Sequence, residues 1–335
     1  MYEVSTVRLE DIARELNLSV STVSRAINGK GRVGEKTRER VLDTVRRSDY
    51  RVNDVARSLR MKEARSIGVI VPDISNAFFA AVIKGAQQRC RQSDYILIVC
   101  NSDEDAAVEA EMLQTLLGKR VSGLVLASVD ESRMVRRGKG AADVPTVYID
   151  NIPRQAEGCD SVSIDNYTAA RRLTLAMLDR GYREIGMITG PAAQSTGCLR
   201  RKGFEAALAE RGAEKRDEWI REGPFTMDSG YAQMRRILGA DRVPRAMLLA
   251  NNHIAYGALR AIREAGLAVP SDIAVAAFDA EDSTGLITPR ITSMNQPAQQ
   301  IGECAVDMLL ERMGEGRDAG RRLLLEPGFV AGDSW

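Results

Sequence analysis

The stretch that decides the fold of the first part of the chain is DIARELNLSVSTVSRAINGKGRV, residues 11–33. Apolar residues recur at helical spacing up to Leu16, and Asn17-Leu18-Ser19 then interrupts the pattern. Ser19 is a favourable N-cap for a second helix. This helix would bury Val23, Ala26 and Ile27. Two short helices joined by a tight turn predict a helix-turn-helix.

The opposite side of the second helix is mostly small and polar. It carries Val20, Ser21, Thr22, Ser24 and Arg25. In a helix-turn-helix the second helix enters the major groove of DNA, where arginine can pair with guanine and serine can contact several bases. A third helix is expected over 35–48, with Val41, Leu42 and Val45 on one face. The first part of the chain therefore predicts a three-helix head that reads DNA.

Charge is distributed unevenly along the 335 residues, although 47 Lys and Arg against 46 Asp and Glu leave a net charge of only +1. Residues 1–62 carry 14 basic and 9 acidic residues, a net charge of +5, and the remainder carries −4. A basic segment joined to an acidic body indicates a module that binds a polyanion.

Residues 29–34 match G-x-G-x-x-G, the pattern of a dinucleotide-binding loop. That loop must follow a strand, whereas these residues follow a helix, so we expect an ordinary loop there.

From residue 66 onward, near-continuous apolar strands alternate with helices, which predicts an α/β fold with parallel sheets. Strands are expected at 67–71, 96–99, 123–127, 146–149, 161–164, 185–189, 219–221, 246–249 and 273–278. Helices are expected at 78–92, 107–117, 167–179, 201–210, 230–238 and 254–264. The series divides into two doubly wound units. Because ligands bind such folds at the carboxyl ends of the strands, we expect a ligand cleft between the units.

The head resembles the DNA-binding head of the LacI/GalR regulators. The specific signature is S-x-x-T-V-S-R at residues 19–25, and NDVARSL at 53–59 resembles the hinge helix of that family. The body resembles the same family at IGVIVPD (67–73), CNSDED (100–105), VSIDN (162–166), ITGP (188–191) and QP (296–297). The resemblance covers residues 7–333, and the ribose-repressor branch is the most similar.

The resemblance implies a helix-turn-helix domain at 1–52, a hinge helix and linker at 53–65, and an effector-binding and dimerisation body at 66–335. The body is expected to be like a periplasmic sugar-binding protein, and its chain crosses between the two halves three times. The first half would hold about 66–160 and 295–325. The second half would hold about 161–294 and 326–335.

The resemblance also implies which residues contact a pseudo-palindromic operator in double-stranded DNA. Val20, Ser21 and Arg25 occupy the operator-reading positions. Ala56 and Leu59 occupy minor-groove positions, where the leucine pair of a homodimer wedges between base steps. The expected DNA-contacting set is Val20, Ser21, Thr22, Ser24, Arg25, Asn28, Asn53, Ala56 and Leu59.

Cleft residues follow by position from the same resemblance. The expected effector-binding set is Asp73, Phe79, Asp150, Arg200, Phe225, Asn251, Asp279 and Gln296. These side chains suit a small carbohydrate, because carboxylates and amides bind hydroxyl groups and aromatic rings cover the apolar side of a sugar. Asp150 and Asp279 could instead be helix caps, and Phe79 could belong to the core.

The sequence departs from the family pattern near the cleft. Ala77, Asn252 and Ala280 stand where the family usually has Pro, Asp and Asp, and Val52 replaces a Pro before the hinge. Because two acidic groups are absent, one hypothesis is an anionic effector, such as a sugar acid or sugar phosphate, paired with Arg200. His253 is expected to be a residue at the start of a helix instead of a ligand contact.

The function predicted from these features is a cytoplasmic transcriptional regulator, most simply a repressor of carbohydrate genes, that needs no cofactor. Two alternatives share the body. A sugar-binding transport protein would need export, whereas the N-terminal residues lack the apolar segment of a secretory signal. An α/β enzyme is disfavoured, because the sequence has no G-x-S-x-G, no Walker A motif and one histidine. The five cysteines include no C-x-x-C, so no metal site is expected, and no apolar run reaches the length of a membrane span.

Overall fold

A computed structural model describes residues 7–28, 31, 33–48, 64–132, 144–153, 158–280, 285–286, 288–315 and 319–335. The chain divides after residue 63 into two compact units, a head and a body, which are described separately. The predicted hinge at 53–65 lies almost wholly outside the described residues. Its last two residues, Ala64 and Arg65, are the start of the first strand of the body.

The head contains the predicted helix-turn-helix. Its helices are α1 (Leu9–Glu15), α2 (Val20–Asn28) and α3 (Glu35–Arg47). Ser19 caps α2 as expected, because its Oγ accepts a hydrogen bond from the backbone N–H of Thr22 at 3.1 Å. Gly34 precedes α3 as an N-cap without a side chain. The small core is formed by Ile12, Ala13, Val23, Ala26 and Val41.

The body begins with a run of alternating strands and helices. Its first part is β1 (Ala64–Val71), α4 (Ala77–Gln92), β2 (Ile96–Asn101), α5 (Ala106–Gly118), β3 (Val121–Leu126), β4 (Thr146–Ile149) and β5 (Asp160–Ile164). Its second part is α6 (Asn166–Asp179), β6 (Ile185–Thr189), α7 (Ser195–Glu210), a 3-10 turn (Asp217–Trp219), β7 (Ile220–Glu222), α8 (Met227–Leu238), β8 (Ala246–Leu249), α9 (Asn252–Glu264), β9 (Ala274–Phe278) and β10 (Thr292–Asn295). Then follow α10 (Ala298–Glu315), β11 (Arg322–Leu325) and β12 (Gly328–Val330).

These strands form two six-stranded sheets within the described residues. The first has the order β11-β5-β4-β3-β1-β2, and the second has the order β12-β10-β9-β8-β6-β7. Neighbouring strands are parallel throughout, except that β12 runs antiparallel to β10. The chain passes between the two halves after β5, after β10 and after β11, which gives the three crossings that the family resemblance implied.

One predicted boundary is wrong. The strand at 160–164 was expected to open the second half, but β5 pairs with β4 on one side and with β11 on the other, inside the first sheet. All five of its residues are buried there. The long loop after β4 therefore does not mark a change of half, and the first crossing follows Ile164.

The first sheet is covered on both faces, as its continuous apolar strands predict. Ile67, Val69 and Val71 of β1 pack with α4 and α10, whereas Ile70 packs on the opposite face with Leu116 of α5. Helices α4 and α10 approach so closely that a Cβ atom on Gly302 would lie 2.0 Å from the carbonyl oxygen of Val82. The second sheet shares a continuous core with α6, α7, α8 and α9.

Candidate functional site

The carboxyl ends of the two sheets meet at a cavity that is lined by residues of both halves of the body. Seven of the eight predicted effector residues line it: Phe79, Asp150, Arg200, Phe225, Asn251, Asp279 and Gln296. Asp150, Asp279 and Gln296 each come directly after a strand, namely β4, β9 and β10. The cavity therefore lies where an α/β fold with parallel strands places its ligands.

Asp73 is the exception, because it is not among the residues that line the cavity. Its carboxylate accepts hydrogen bonds from the backbone N–H and the hydroxyl of Ser75, at 2.8 and 2.6 Å. The same carboxylate lies 3.4 Å from Nδ1 of His253, which is in the first turn of α9 as expected. Asp73 is thus held in a local turn at the edge of the cleft.

Arg200 is almost completely buried, with 2% of its surface exposed. The helix predicted over 201–210 begins earlier, at Ser195, so Arg200 lies within α7. Its Nε donates to Oδ1 of Asn166 at 2.8 Å, its Nη1 donates to the carbonyl oxygen of Ala250, and its guanidinium stacks 4.1 Å from the ring centre of Phe278. Its Nη2 has no partner in the described structure. The guanidinium is therefore fixed in place with one nitrogen left for a ligand.

Two aspartates flank this guanidinium at equivalent positions in the two halves. Asp150 and Asp279 both adopt left-handed backbone conformations, with φ of +56° and +54°. Aspartate tolerates that conformation better than most residues, and such conformations concentrate at binding sites. Burial raises the pKa of Asp150 to about 6 and also raises the pKa of Asp279, whereas Arg200 opposes both changes.

Gln296 holds Asp279 from two directions. The backbone N–H and the Nε2 of Gln296 donate to the two carboxylate oxygens of Asp279, at 2.7 and 2.8 Å. The Oε1 of Gln296 is buried and has no partner in the described structure. Asp279 is therefore held in place as an acceptor of the cavity wall, and Gln296 offers a further acceptor.

Aromatic rings form the apolar part of the wall. Phe78 and Phe79 pack edge to face with ring centres 4.9 Å apart at the start of α4. Phe225 lies over the backbone at Gly190, where a Cβ atom would come within 2.0 Å of the phenyl ring. Glycine is thus required at residue 190 for this ring position. Phe79 lines the cavity and also packs in the core of the first half.

Direct hydrogen bonds join the two halves around the cavity. Asn76 and Asn252 form a reciprocal pair, with Nδ2···Oδ1 distances of 3.0 and 2.8 Å. Thr196 donates to Asn151 at 2.5 Å. The backbone N–H of Ser195 donates to Glu131, so a carboxylate of the first half contacts the start of α7. The halves are therefore held closed over the cavity.

Glu104 is a cavity residue that the sequence reasoning did not select. It comes three residues after β2, so the rule that sites form at carboxyl ends of strands could have found it. Burial raises its pKa to about 7, a hydrogen bond from Gln194 opposes this change, and the charges of Asp150 and Asp73 add to it. Asn76, Asn151 and Thr196 also line the cavity, and no local pattern points to them; Asn252 lines it too, although it was noted only as a departure from the family pattern.

The predicted DNA-contacting residues of the head lie mainly on one exposed side of α2. Val20, Ser21 and Arg25 are exposed, whereas Thr22 and Ser24 are half-buried. The hydroxyl groups of Ser21 and Thr22 lie 2.9 and 2.7 Å from Oγ of Ser19. Asn28 is the last residue of α2. Asn53, Ala56 and Leu59, which are also predicted to contact DNA, lie outside the described residues.

Within the part of the chain that the structure describes, no helix is both long and apolar enough to span a membrane. The same residues contain no group of three or more His, Cys, Asp or Glu side chains that could hold a metal ion.

The architecture of both units matches known protein families. Residues 64–331 match periplasmic binding proteins and the sugar binding domain of the LacI family, and residues 8–53 match bacterial regulatory proteins of the lacI family. The chain belongs to the LacI family of bacterial regulatory proteins. Its relatives in this family align over nearly their whole length.

Two curated relatives and one solved structure illustrate the likeness. Catabolite control protein A of Priestia megaterium is 34% identical over 92% of this chain and 93% of its own. The ribose operon repressor of Haemophilus influenzae is 33% identical over 97% of this chain and 98% of its own. The lac repressor dimer bound to operator and the anti-inducer ONPF superposes with a TM-score of 0.84 and 27% identity, over 98% of this chain and 99% of that one.

Proposed function

We propose that this LacI-family member is an operator-binding transcriptional repressor whose DNA affinity is set by a small polyhydroxylated effector in the cavity. The main observation behind the proposal is the buried Arg200. Hydrogen bonds from its Nε and Nη1 hold the guanidinium in place, and its Nη2 has no hydrogen-bond partner in the described structure. Polar atoms that are buried without a partner carry a free-energy cost that a bound ligand can remove. The family's curated relatives include repressors, which supports binding instead of turnover and a cytoplasmic place of action.

The lining of the cavity favours a neutral effector over a sugar acid or sugar phosphate. Glu104, Asp150 and Asp279 contribute three carboxyl groups, against the single guanidinium of Arg200 among the described lining residues. An added anion would be repelled by those of these carboxyl groups that are ionised.

Fluorescence anisotropy of the full chain on a pseudo-palindromic duplex from its own promoter region tests this function. A panel of neutral sugars, sugar acids and sugar phosphates is added to the complex. Specific binding that a neutral sugar releases or strengthens would support effector control, because a ligand and an operator must affect each other's affinity reciprocally. Specific binding that no compound changes would contradict the effector class, and equal binding to a scrambled duplex would contradict the operator assignment.

The exposed Arg25 of α2 provides a test of the head. Arg25→Ala should weaken binding to the specific operator by about 1–3 kcal/mol and relax discrimination at one base pair. Binding titrations on operator and scrambled duplexes measure both effects. Arg40→Ala is the matched control, because Arg40 is an exposed arginine on α3. This substitution removes the same charge and should weaken binding to the specific and the scrambled duplex alike. Unchanged discrimination in Arg25→Ala would exclude the base-reading role.

We further propose that the edge of the first sheet at β2 is the dimer face of the body. Ile96 and Val99 of this edge strand are 66% and 40% exposed, and Ile74, 50% exposed, is held beside the end of β2 by a 2.8 Å hydrogen bond to Asn101. An exposed apolar edge strand is prone to pair with another chain. The operator-bound lac repressor is a dimer, which supports the same assembly here.

Ile96→Asp should weaken the homodimer at least about tenfold, because it places a charge in an apolar contact. Sedimentation velocity over a range of protein concentrations measures the change. Leu324→Asp is the control, since Leu324 is 46% exposed on β11 at the opposite edge of the same sheet. A dimer weakened by Leu324→Asp and unaffected by Ile96→Asp would place the interface elsewhere.

A further inference from the structure

The cavity contains more hydrogen-bond acceptors and negative charge than its basic group can neutralise. Among the described lining residues, three carboxyl groups face one guanidinium. Arg200 already uses the N–H of Nε for Asn166 and one N–H of Nη1 for the carbonyl oxygen of Ala250, so only part of its five donors is left for the carboxyl groups. If all three carboxyl groups were ionised, two negative charges would lack a counter-charge from the described lining.

Two buried polar atoms of this cavity are open to a ligand. Arg200 is 2% exposed and its Nη2 has no partner in the described structure. Gln296 is 8% exposed, and its Oε1 also has no hydrogen-bond partner in the described structure. One atom is a donor and the other is an acceptor, so a ligand with hydroxyl groups can satisfy both.

The loop after β2 fixes Glu104 at the cavity wall. The backbone N–H of Ser102 donates to Val71 at 2.9 Å, and that of Glu104 donates to Pro72 at 3.2 Å. Asp103 and Glu104 both adopt left-handed conformations, with φ of +52° and +57°. This turn places the carboxyl group of Glu104 against the loop after β1 and the start of α7.

Charged and polar groups surround Glu104 from each neighbouring element. Asp73 approaches from the loop after β1, Asp150 from the end of β4, and Gln194 from the residue before α7. Arg200 and Asp279 lie further along the same cavity, and Asp103 and Asp105 flank Glu104 in its own loop. Burial, opposed by Gln194 and reinforced by the two aspartates, raises the pKa of Glu104 to about 7.

We propose that Glu104 contacts the effector in its protonated form, donates a hydrogen bond to a ligand oxygen, and thereby makes the effector bind together with a proton. This inference rests on the proposed function, because it assumes that the effector occupies this cavity. A ligand displaces water from the cavity, which makes a second charge beside Asp150 still less favourable. The proton comes from the solvent and returns there on release, and the neutral carboxyl group supplies a donor.

The expected result is a pH-dependent affinity for a neutral sugar. Below the pKa of Glu104 in the free protein the affinity should be constant, because Glu104 is already protonated in both states. Above it, the free protein loses the proton that the complex keeps, so the affinity should fall by up to about tenfold per pH unit. An ammonium-bearing sugar would show the opposite trend, since ionised Glu104 would hold it.

The ligand-bound arm uses D-ribose, D-xylose, D-glucose and D-galactose as probes with the full chain. Thermal unfolding identifies a binder, and calorimetry in two buffers of different ionisation enthalpy counts the protons taken up above about pH 7. Wild type should take up close to one proton. Glu104→Gln should take up almost no protons, and its affinity for the sugar should not change with pH. Asp103→Asn, the control at a neighbouring carboxyl group, should behave like wild type. Equal proton uptake by wild type and Glu104→Gln would overturn the proposal.

The ligand-free arm separates this proposal from the proposed function. Carbon NMR of glutamate-labelled full chain follows the carboxyl resonance that disappears in Glu104→Gln. A midpoint near 7 supports the proposal, and a midpoint near the ordinary glutamate value of about 4.3 overturns it, whether or not a sugar binds. Failure of all four sugars to bind would count against the effector class alone.

Discussion

Arg200→Met is expected to abolish the effector's control of operator binding while operator binding itself persists. The substitution removes the one nitrogen that is left for a ligand and the cation that faces Asp150 and Asp279. Removing one partner from a buried, hydrogen-bonded set of charges costs about 2–5 kcal/mol, which is a loss of effector affinity of at least about 30-fold. Anisotropy on the operator, with the effector titrated in, measures the loss.

Two further variants separate this role from an effect on folding. Arg201→Met changes the neighbouring arginine, whose side chain is 36% exposed and pairs with Glu205 at 3.1 Å, so effector control should remain. Arg200→Lys keeps the positive charge but lacks the planar donor group, and it should retain a weakened response. Full effector control in an Arg200→Met protein with an unchanged melting temperature would contradict the assignment.

Arg312→Met is expected to lower the free energy of unfolding of the body by about 3–5 kcal/mol. The Nε of Arg312 on α10 donates to Asp160 at 2.6 Å, and the Asp160 side chain is fully buried at the start of β5. Asp160 also accepts from the backbone N–H of Arg321 at 2.7 Å, just before β11. Loss of Arg312 therefore leaves a buried carboxylate without its guanidinium where three distant segments meet. Urea unfolding measures the change.

The matched control for this prediction is Arg321→Met. Arg321 pairs with Glu311 at 2.6 Å, but both side chains are nearly half exposed, so the loss should be at most about 1 kcal/mol. Asp160→Asn added to Arg312→Met should recover part of the stability, because it removes the buried charge. Equal losses in Arg312→Met and Arg321→Met would show that burial of the pair contributes nothing.

Much of the head and of the strand order was predictable because the signals are local. Ser19 bonds to the backbone of Thr22, and the periodicity buries Val23 and Ala26 while it exposes Arg25. These features depend on residues only a few positions apart, so side-chain spacing is sufficient evidence. Asp150 and Asp279 were found from the family resemblance, and their positions directly after strands explain why they reach the cavity.

The features that the sequence did not predict correctly share a different cause, since each feature depends on where distant segments of the chain meet. Asp73 was expected to line the cavity, whereas it lies at the edge of the cleft, where it accepts hydrogen bonds from Ser75 and lies near His253. The strand at 160–164 was assigned to the wrong half, because its sheet is identified only by its pairing with β4 and with β11, which lies about 160 residues later. The reciprocal Asn76–Asn252 pair joins residues 176 positions apart and has no local signature.

The amino-acid sequence by itself determined the helix-turn-helix, the alternation of strands and helices, and the presence of polar residues at strand ends. Those properties follow from periodicity and capping within a few residues. Tertiary structure alone decided the charge of the cavity. The absence of acidic residues at 252 and 280 suggested an anionic effector, but Glu104 enters the same cavity from another loop and adds a third carboxyl group to those of Asp150 and Asp279. Electrostatic energy depends on distance in space, and the fold sets that distance.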